Sequence, residues 1–228
     1  NIRVASFRVD SPDVRVSRPD GSGVSALFKS LALEGISWDS TLLKLGSVCL
    51  ESPVADIYSS HFHDTLSHQT EAGSADFYTA LGKVAGRVSL GRFSLTDANI
   101  RYAYYGKSDS LQHQKLDTTN LFVEGLAVDT RLRTYKLDDI RFSTRNLVFP
   151  LDNGFYALKV GGIDLTGSSA VIDHIRLISP YPKMQFAYLQ PHHKDWFDVS
   201  VGQVALAGID LSTYLSEKVL RIADVQVS

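Results

Sequence analysis

Apolar and polar positions alternate along the chain in short bursts, and two kinds of burst recur. One runs apolar-x-x-x-Gly-apolar-x-apolar and closes on Asp, Ser or Thr. It occurs in LALEGISWD (31–39), LFVEGLAVD (121–129), LKVGGIDLT (158–166) and VALAGIDLS (204–212). The other begins at residues 4, 45, 90, 137, 172 and 222. Its fourth and sixth positions are apolar in every copy: Phe7/Val9, Val48/Leu50, Phe93/Leu95, Ile140/Phe142, Ile175/Leu177 and Val225/Val227. Against a 44% apolar background, twelve such hits have odds of roughly 1 in 20,000 before any allowance for choice of register. The intervening residues, among them Arg8, Cys49, Ser94, Arg141 and Arg176, are mostly polar. Period-2 alternation of this kind predicts strands with one face out of water.

After each of these bursts comes a small polar break, Ser-Pro in three copies. Proline cannot donate to a ladder, so it marks an edge, a bulge or a step between strands. Alternation then resumes at Val14/Val16, Ile100/Tyr102 and Leu147/Phe149. Successive copies are 41, 45, 47, 35 and 50 residues apart, a degenerate repeat of about 45 residues. Glycine inside a strand implies a bulge, a bend or a close backbone approach. The glycine bursts therefore predict equivalent turning points, at one height, in a stacked antiparallel sheet, and Gly125 and Gly162 should resist replacement by Val.

Hairpins are predicted around Asp-Asn-Gly at 152–154, at RPDGSG (18–23) and, with a longer loop, at 184–201. Residues 108–114 read as a solvated loop and 59–73 as a mobile one. Two segments read as helix from apolar spacing of i, i+4, i+7, i+8: residues 74–86, with Phe77, Leu81, Val84 and Ala85, and 210–220, with Leu211, Leu215, Val219 and Leu220. The aromatics Phe93, Tyr102, Tyr104, Phe142, Phe149, Phe155 and Phe186 are all assigned to strands. Either a second sheet caps them, as in a sandwich core, or the apolar face curls around a guest.

Composition narrows the function classes. Lys plus Arg (23) nearly balance Asp plus Glu (25), and no basic run is present, so a nucleic-acid footprint is not expected. One cysteine permits no internal disulfide. No stretch reaches the ~18 apolar residues of a membrane span, and no signal peptide is visible. The chain, opening on Asn1, reads as a piece of a longer protein whose anchor or targeting segment would lie elsewhere.

Candidate chemistry is thin. His61, His63, Asp64 and His68 could ligate a metal, but they sit in a polar, loop-like stretch with no cysteine partner. His192 and His193 read as solvated loop residues. Cys49 lies mid-strand, with no helix N-terminus to activate it. Gly161-Gly162 lacks a phosphate-loop pattern. Asp138 and Asp139, as strand neighbours, point to opposite faces and cannot act as a carboxylate pair. No catalytic residue, metal or cofactor is assigned.

The rhythm of VSLGRFSLTDANIRY, YKLDDIRFSTRNLVF and VALAGIDLSTYLSEKVLRIADVQVS resembles the AsmA-like proteins of Gram-negative envelopes, including the TamB-type proteins. The resemblance covers nearly the whole chain apart from 59–73 and rests on rhythm, with no invariant residue. It implies a periplasmic, envelope-spanning protein with an N-terminal inner-membrane anchor and an elongated β-groove that carries phospholipid or supports outer-membrane assembly. The expected architecture is thus all-β with two short helices: a single repeat-built region, residues 1–228, forming a curved antiparallel sheet. The expected function is non-catalytic binding or transfer of phospholipid or another acyl-chain ligand. The groove candidates are Phe7, Val9, Val48, Leu50, Phe93, Leu95, Ile100, Tyr102, Ile140, Phe142, Leu147, Phe149, Ile175 and Leu177. The alternative is a closed β-sandwich, a spacer or a protein- or glycan-binding module. Whether Phe93, Leu95, Ile140 and Phe142 face another sheet or an open trough separates the two.

Overall fold

The alternating bursts do form strands in the computed structural model, which describes residues 2–17, 22–39, 41–59, 78, 81–105, 111–151, 154–189, 195–211, 213–214 and 219–228. In chain order the strands are β1 (Ile2–Asp10), β2 (Asp13–Ser17), β3 (Gly23–Leu27), β4 (Ser30–Trp38), β5 (Leu42–Glu51), β6 (Val54–Ser59) and β7 (Arg87–Tyr105). They continue as β8 (Leu111–Asp129), β9 (Thr134–Lys136), β10 (Asp139–Pro150), β11 (Ala157–Thr166), β12 (Ser169–Ile178), β13 (Val199–Ala207) and β14 (Asp224–Val227). A helix, α1 (Lys183–Leu189), lies between β12 and β13.

All fourteen strands belong to one sheet, ordered β1-β4-β5-β7-β8-β10-β11-β12-β13-β14. The sheet is curved and open, and among the described residues no second sheet packs on it. Strands β2, β3 and β6 extend its first three rows: β2 pairs β3, β3 pairs β6, and β6 pairs the far half of β7. Each of these rows is interrupted once, at Ser11-Pro12, Phe28-Lys29 or Ser52-Pro53. The ladder bridges the gaps through the backbone: Ser11 N–H donates to Lys29 O (3.0 Å), Lys29 N–H to Glu51 O (2.9 Å) and Ser52 N–H to Thr96 O (2.8 Å). The prolines thus mark steps within rows, where a missing donor is tolerated.

Several expectations change. The sheet is not purely antiparallel, because β5 and β6 both run parallel to β7. A parallel neighbour needs a long connection. Strand β6 ends at Ser59 and β7 begins at Arg87; residues 60–77, 79 and 80 between them, and with them all but Ser59 of the loop expected over 59–73, lie outside the described residues. Strand β8 begins at Leu111, so the loop expected over 108–114 is shorter than the alternation alone suggested. Strand β2 pairs antiparallel with β3 and β10 with β11, in keeping with the hairpins expected at 18–23 and 152–154, of which residues 18–21 and 152–153 lie outside the described residues. The long hairpin expected at 184–201 is instead a helix followed by a return into β13, and Phe186 is helical, not in a strand. Phe155 lies in the bend before β11. Pro180 and Pro182 break the preceding strand, and Lys-Met-Gln-Phe-Ala-Tyr-Leu consists largely of good helix formers. Phe186 is buried against the rings of Phe155 (5.6 Å, edge-on) and Tyr156 (5.5 Å). Of the helix expected over 74–86, Tyr78, Leu81 and Gly82 are helical, and residues 74–77 fall outside the described residues. Within 210–220, Leu211, Thr213 and Tyr214 are helical while Val219 and Leu220 are not.

Two creases cross the sheet. At the first, Ala5, Gly35, Gly46, Gly91 and Gly125 fall side by side on β1, β4, β5, β7 and β8. The backbones there approach so closely that a Cβ on Gly91 would sit 2.6 Å from Gly46 O. Gly125 adopts φ +63, and a Cβ there would run into the Asp138 carboxylate. The second crease carries left-handed backbone at Ser11, Ser52, Asp97, Thr118, Asn146 and His174, with φ between 44° and 56°. A residue with positive φ in a strand is the mark of a bulge, which bends the strand and shifts alternation by one residue. Bulges stacked on neighbouring strands turn separate bends into a fold line.

The glycine bursts therefore do not share one height. Gly35 and Gly125 lie on the first crease, whereas Gly162 pairs with Arg145 and Asp173 beside the second, and Gly208 (φ +67) follows the end of β13. What the bursts share is an apolar spacing of three residues across a crease in place of two.

Candidate functional site

Register places the groove candidates in rows. Phe7, Val48, Phe93 and Ile140 occupy one height together with Leu33 and Val123. Two residues further on, Val9, Leu31, Leu50, Leu95, Leu121, Phe142, Leu165, Ala170, Leu206 and Val225 form a single apolar row across all ten strands of the main path. Beyond the second crease, Ile100 stands in line with Val14, Ala26, Ala55 and Leu116, and Tyr102 with Val16, Val24 and Ile57. On the far strands Leu147 aligns with Val160, Ile175 and Val201, and Phe149 with Leu158, Leu177 and Val199. Ile175 and Leu177 are thus the counterparts of Leu147 and Phe149, not of Ile140 and Phe142. The bulge at His174 precedes them, so the copy beginning at 172 is out of phase with the others.

These rows lie on one face. Thr144 follows Phe142 by two residues, Thr119 precedes Leu121 by two, and their hydroxyls share a hydrogen bond at 2.9 Å. Ala98 pairs with Thr119 and starts the alternation that leads to Ile100 and Tyr102. Each crease absorbs one extra residue per strand and returns the apolar side chains to the same side.

Ala98, Thr119 and Thr144 are 0%, 2% and 1% exposed, although among the described residues no second sheet lies over them. A residue on a flat open sheet cannot be so covered, so the crease closes toward this side and makes it the inner face. Away from the crease the face stays half-open: Leu31, Leu50, Phe93, Leu95, Leu121, Val123, Ile140 and Phe142 are all only partly buried. Phe7, Val14 and Val16 at one edge, and Val225 and Val227 at the other, are exposed.

The outer face is polar and cross-tied. Along the second crease the Lys29 ammonium meets Glu51, which also accepts from the Ser30 hydroxyl at 3.0 Å. Ser52 Oγ donates to Asp97 (3.4 Å), Asp97 N–H donates to Asn120 Oδ1 (2.9 Å), and Asn120 Nδ2 donates to Ser143 Oγ (3.2 Å). Arg141 lies over the Phe122 ring at 4.1 Å, with Arg92 at 5.6 Å. The Arg145 side chain crosses Gly162 to pair with Asp164 at 2.8 Å, which explains a glycine at a position of ordinary φ. Arg8 and Arg176 are exposed on this side, Arg176 in a two-pronged pair with Asp198 at 2.7 and 3.0 Å. The guanidinium holds the Asp198 carboxyl below the usual range.

Two rows were read in part from the sequence and two escaped it. Leu31, Leu33, Leu121 and Val123 complete the main rows. On the other side of the glycine crease, Val4, Ile36, Leu45, Leu90 and Leu126 form one more, and Ile2, Trp38, Leu43, Val88, Val128 and Tyr135 another. The signal was present inside the glycine bursts, where 31 and 33 are followed by 36 and 38, and 121 and 123 by 126 and 128.

Cys49 is half-buried on the outer face, opposite Ala32 and Ser94. No cluster of three metal-ligating side chains occurs among the described residues; His61, His63, Asp64, His68, His192 and His193 fall outside them. No described helix is long and apolar enough to cross a membrane. No protein-family model matches the chain, and no curated protein matches it in sequence.

Proposed function

We propose that this chain is a section of a lipid-holding β-groove of the AsmA-like or TamB type, built from degenerate repeats of about 45 residues and working in the cell envelope. Its task is to bind or pass on phospholipid or another acyl-chain ligand without chemical change. One observation carries the reading: an unbroken apolar row crosses ten strands on the inner side of a creased sheet, and among the described residues no second sheet covers it. Ten strands ~4.8 Å apart give a trough roughly 45 Å long. Each CH₂ withdrawn from water contributes about 0.8 kcal/mol, so acyl chains need no polar reader to be held. The parallel polar ties on the outer side keep the crease closed while the inner side stays apolar.

Native mass spectrometry of the purified protein, followed by solvent extraction, tests this. Phospholipid should co-purify and be lost from a Leu95→Asp/Phe142→Asp variant that keeps its β-sheet circular dichroism. A lipid-free wild type that also excludes added lipid and hydrophobic dye would sink the reading and leave a spacer or a protein- or glycan-binding module.

A further inference from the structure

At one end of the sheet two turns are locked together and hold cations that nothing described neutralises. Residues 82–86 precede β7, and residues 130–133 follow β8. Thr130 donates to Gly86 O through both its N–H (3.0 Å) and its hydroxyl (2.9 Å). Asp129 is already engaged: one oxygen accepts from the Arg131 and Leu132 N–H groups, both at 3.0 Å, and the other from Arg87 at 2.9 Å.

Lys83, Arg131 and Arg133 line a cavity of about 380 Å³ between these turns, with Tyr78 and Thr130. Among the described residues none of the three has a carboxylate within 4.0 Å. A second cavity, about 820 Å³, shares Tyr78 and Arg133 with the first and runs along Tyr135 and Leu137 to Ile140, a member of the inner apolar rows. Its carboxylates are already engaged, Asp138 with Lys136 at 2.9 Å and Asp139 with Arg141 at 3.1 Å. Asp210, nearby, accepts from the Thr213 N–H (3.0 Å) and hydroxyl (2.6 Å).

Resting on the groove reading, we infer that Lys83, Arg131 and Arg133 seat a phosphate-bearing headgroup whose acyl chain runs past Leu137 and Ile140 onto the inner face. Guanidinium forks match phosphate oxygens pairwise, and a compact ammonium adds a third point of charge. The apolar rows carry no preference among headgroups; this end of the sheet supplies one. The ligand class is therefore an anionic phosphate amphiphile.

Calorimetric titration with dodecyl phosphate, dodecyl maltoside and inorganic phosphate, below the micelle concentrations, tests the seat. Trp38, whose indole N–H donates to Val84 O at 3.2 Å beside Lys83, gives a fluorescence readout of the same event. Dodecyl phosphate should bind at least about tenfold tighter than the maltoside. The preference should shrink as salt is raised and vanish in K83Q/R131Q/R133Q, which alters only exposed side chains, while maltoside binding stays unchanged. A triple variant that keeps the preference overturns the seat and leaves the groove standing. Inorganic phosphate bound as tightly as dodecyl phosphate would make it a free-phosphate site and overturn the headgroup assignment. Failure of both amphiphiles to bind would strike the groove reading itself.

Discussion

Gly125 and Gly162 occupy the same place in a sequence motif and answer to different constraints. Gly125 needs φ +63 and lies under the Asp138 carboxylate, so a side chain there is strained twice. Gly162 has ordinary φ, and the atoms nearest to a new Cβ there belong to the flexible Arg145 side chain, whose guanidinium would be 3.0 Å away. Gly125→Ala should therefore cost about 2–3 kcal/mol. Gly162→Ala should cost about 1 kcal/mol or less, through a displaced, half-exposed ion pair. Urea denaturation of both variants checks the order, and equal costs would contradict the crease assignment. At this scale the sequence was informative about residue type and mute about neighbours. It marked Gly125 and Gly162 as alike because alternation does not say which backbone or side chain lies alongside.

Among elements, the strands were the most legible part. Apolar alternation located the segments of β1, β5, β7, β10 and β12 because one face of each meets apolar neighbours and the other meets water. The odd spacing between Leu95 and Ile100, or Phe142 and Leu147, carried the second crease as well, since an extra residue between two alternating runs is what a bulge inserts. The parallel placement of β5 and β6 on β7 was not legible, because alternation is blind to strand direction. Helix α1 was hidden for a related reason: Met184, Phe186 and Tyr188 alternate like a strand, and only the prolines before them argued otherwise.

Turns between elements rest on carboxylates, which makes the sheet acid-sensitive. Asp39 is held below its ordinary value of 3.8 by the Thr41 N–H and hydroxyl and the Leu42 N–H. Glu51, ordinarily 4.5, is lowered by Lys29 and Ser30, and Asp129, ordinarily 3.8, by the Leu132 N–H and Arg87. Groups with a depressed folded value contribute stability that is present above the unfolded value and lost as pH falls through the folded one. The melting temperature should therefore be level near neutrality and fall once pH drops below about 4. Asp129→Ala should lower it at neutral pH and flatten the acid fall. A variant melting curve parallel to wild type at every pH would contradict the role given to Asp129.

For the whole molecule, the decisive feature is a sheet with one apolar side on which, among the described residues, no second sheet is laid. The sequence revealed that such a side exists, as the shared phase of Phe93/Leu95 and Ile140/Phe142, but not what lies against it, because burial by a second sheet and burial by a ligand leave the same alternation. Six apolar heights, two fold lines and a cross-tied outer face now define the surface on which a lipid would lie.

The most direct test places a photo-crosslinking amino acid at Leu95 or Phe142 on the inner face, and at Ser94 or Arg141 on the outer one, and irradiates each protein with phospholipid. Lipid adducts at Leu95 and Phe142, with none at Ser94 and Arg141, are the predicted result. Adducts at neither pair, or equally at both, would contradict a groove that holds lipid on one face.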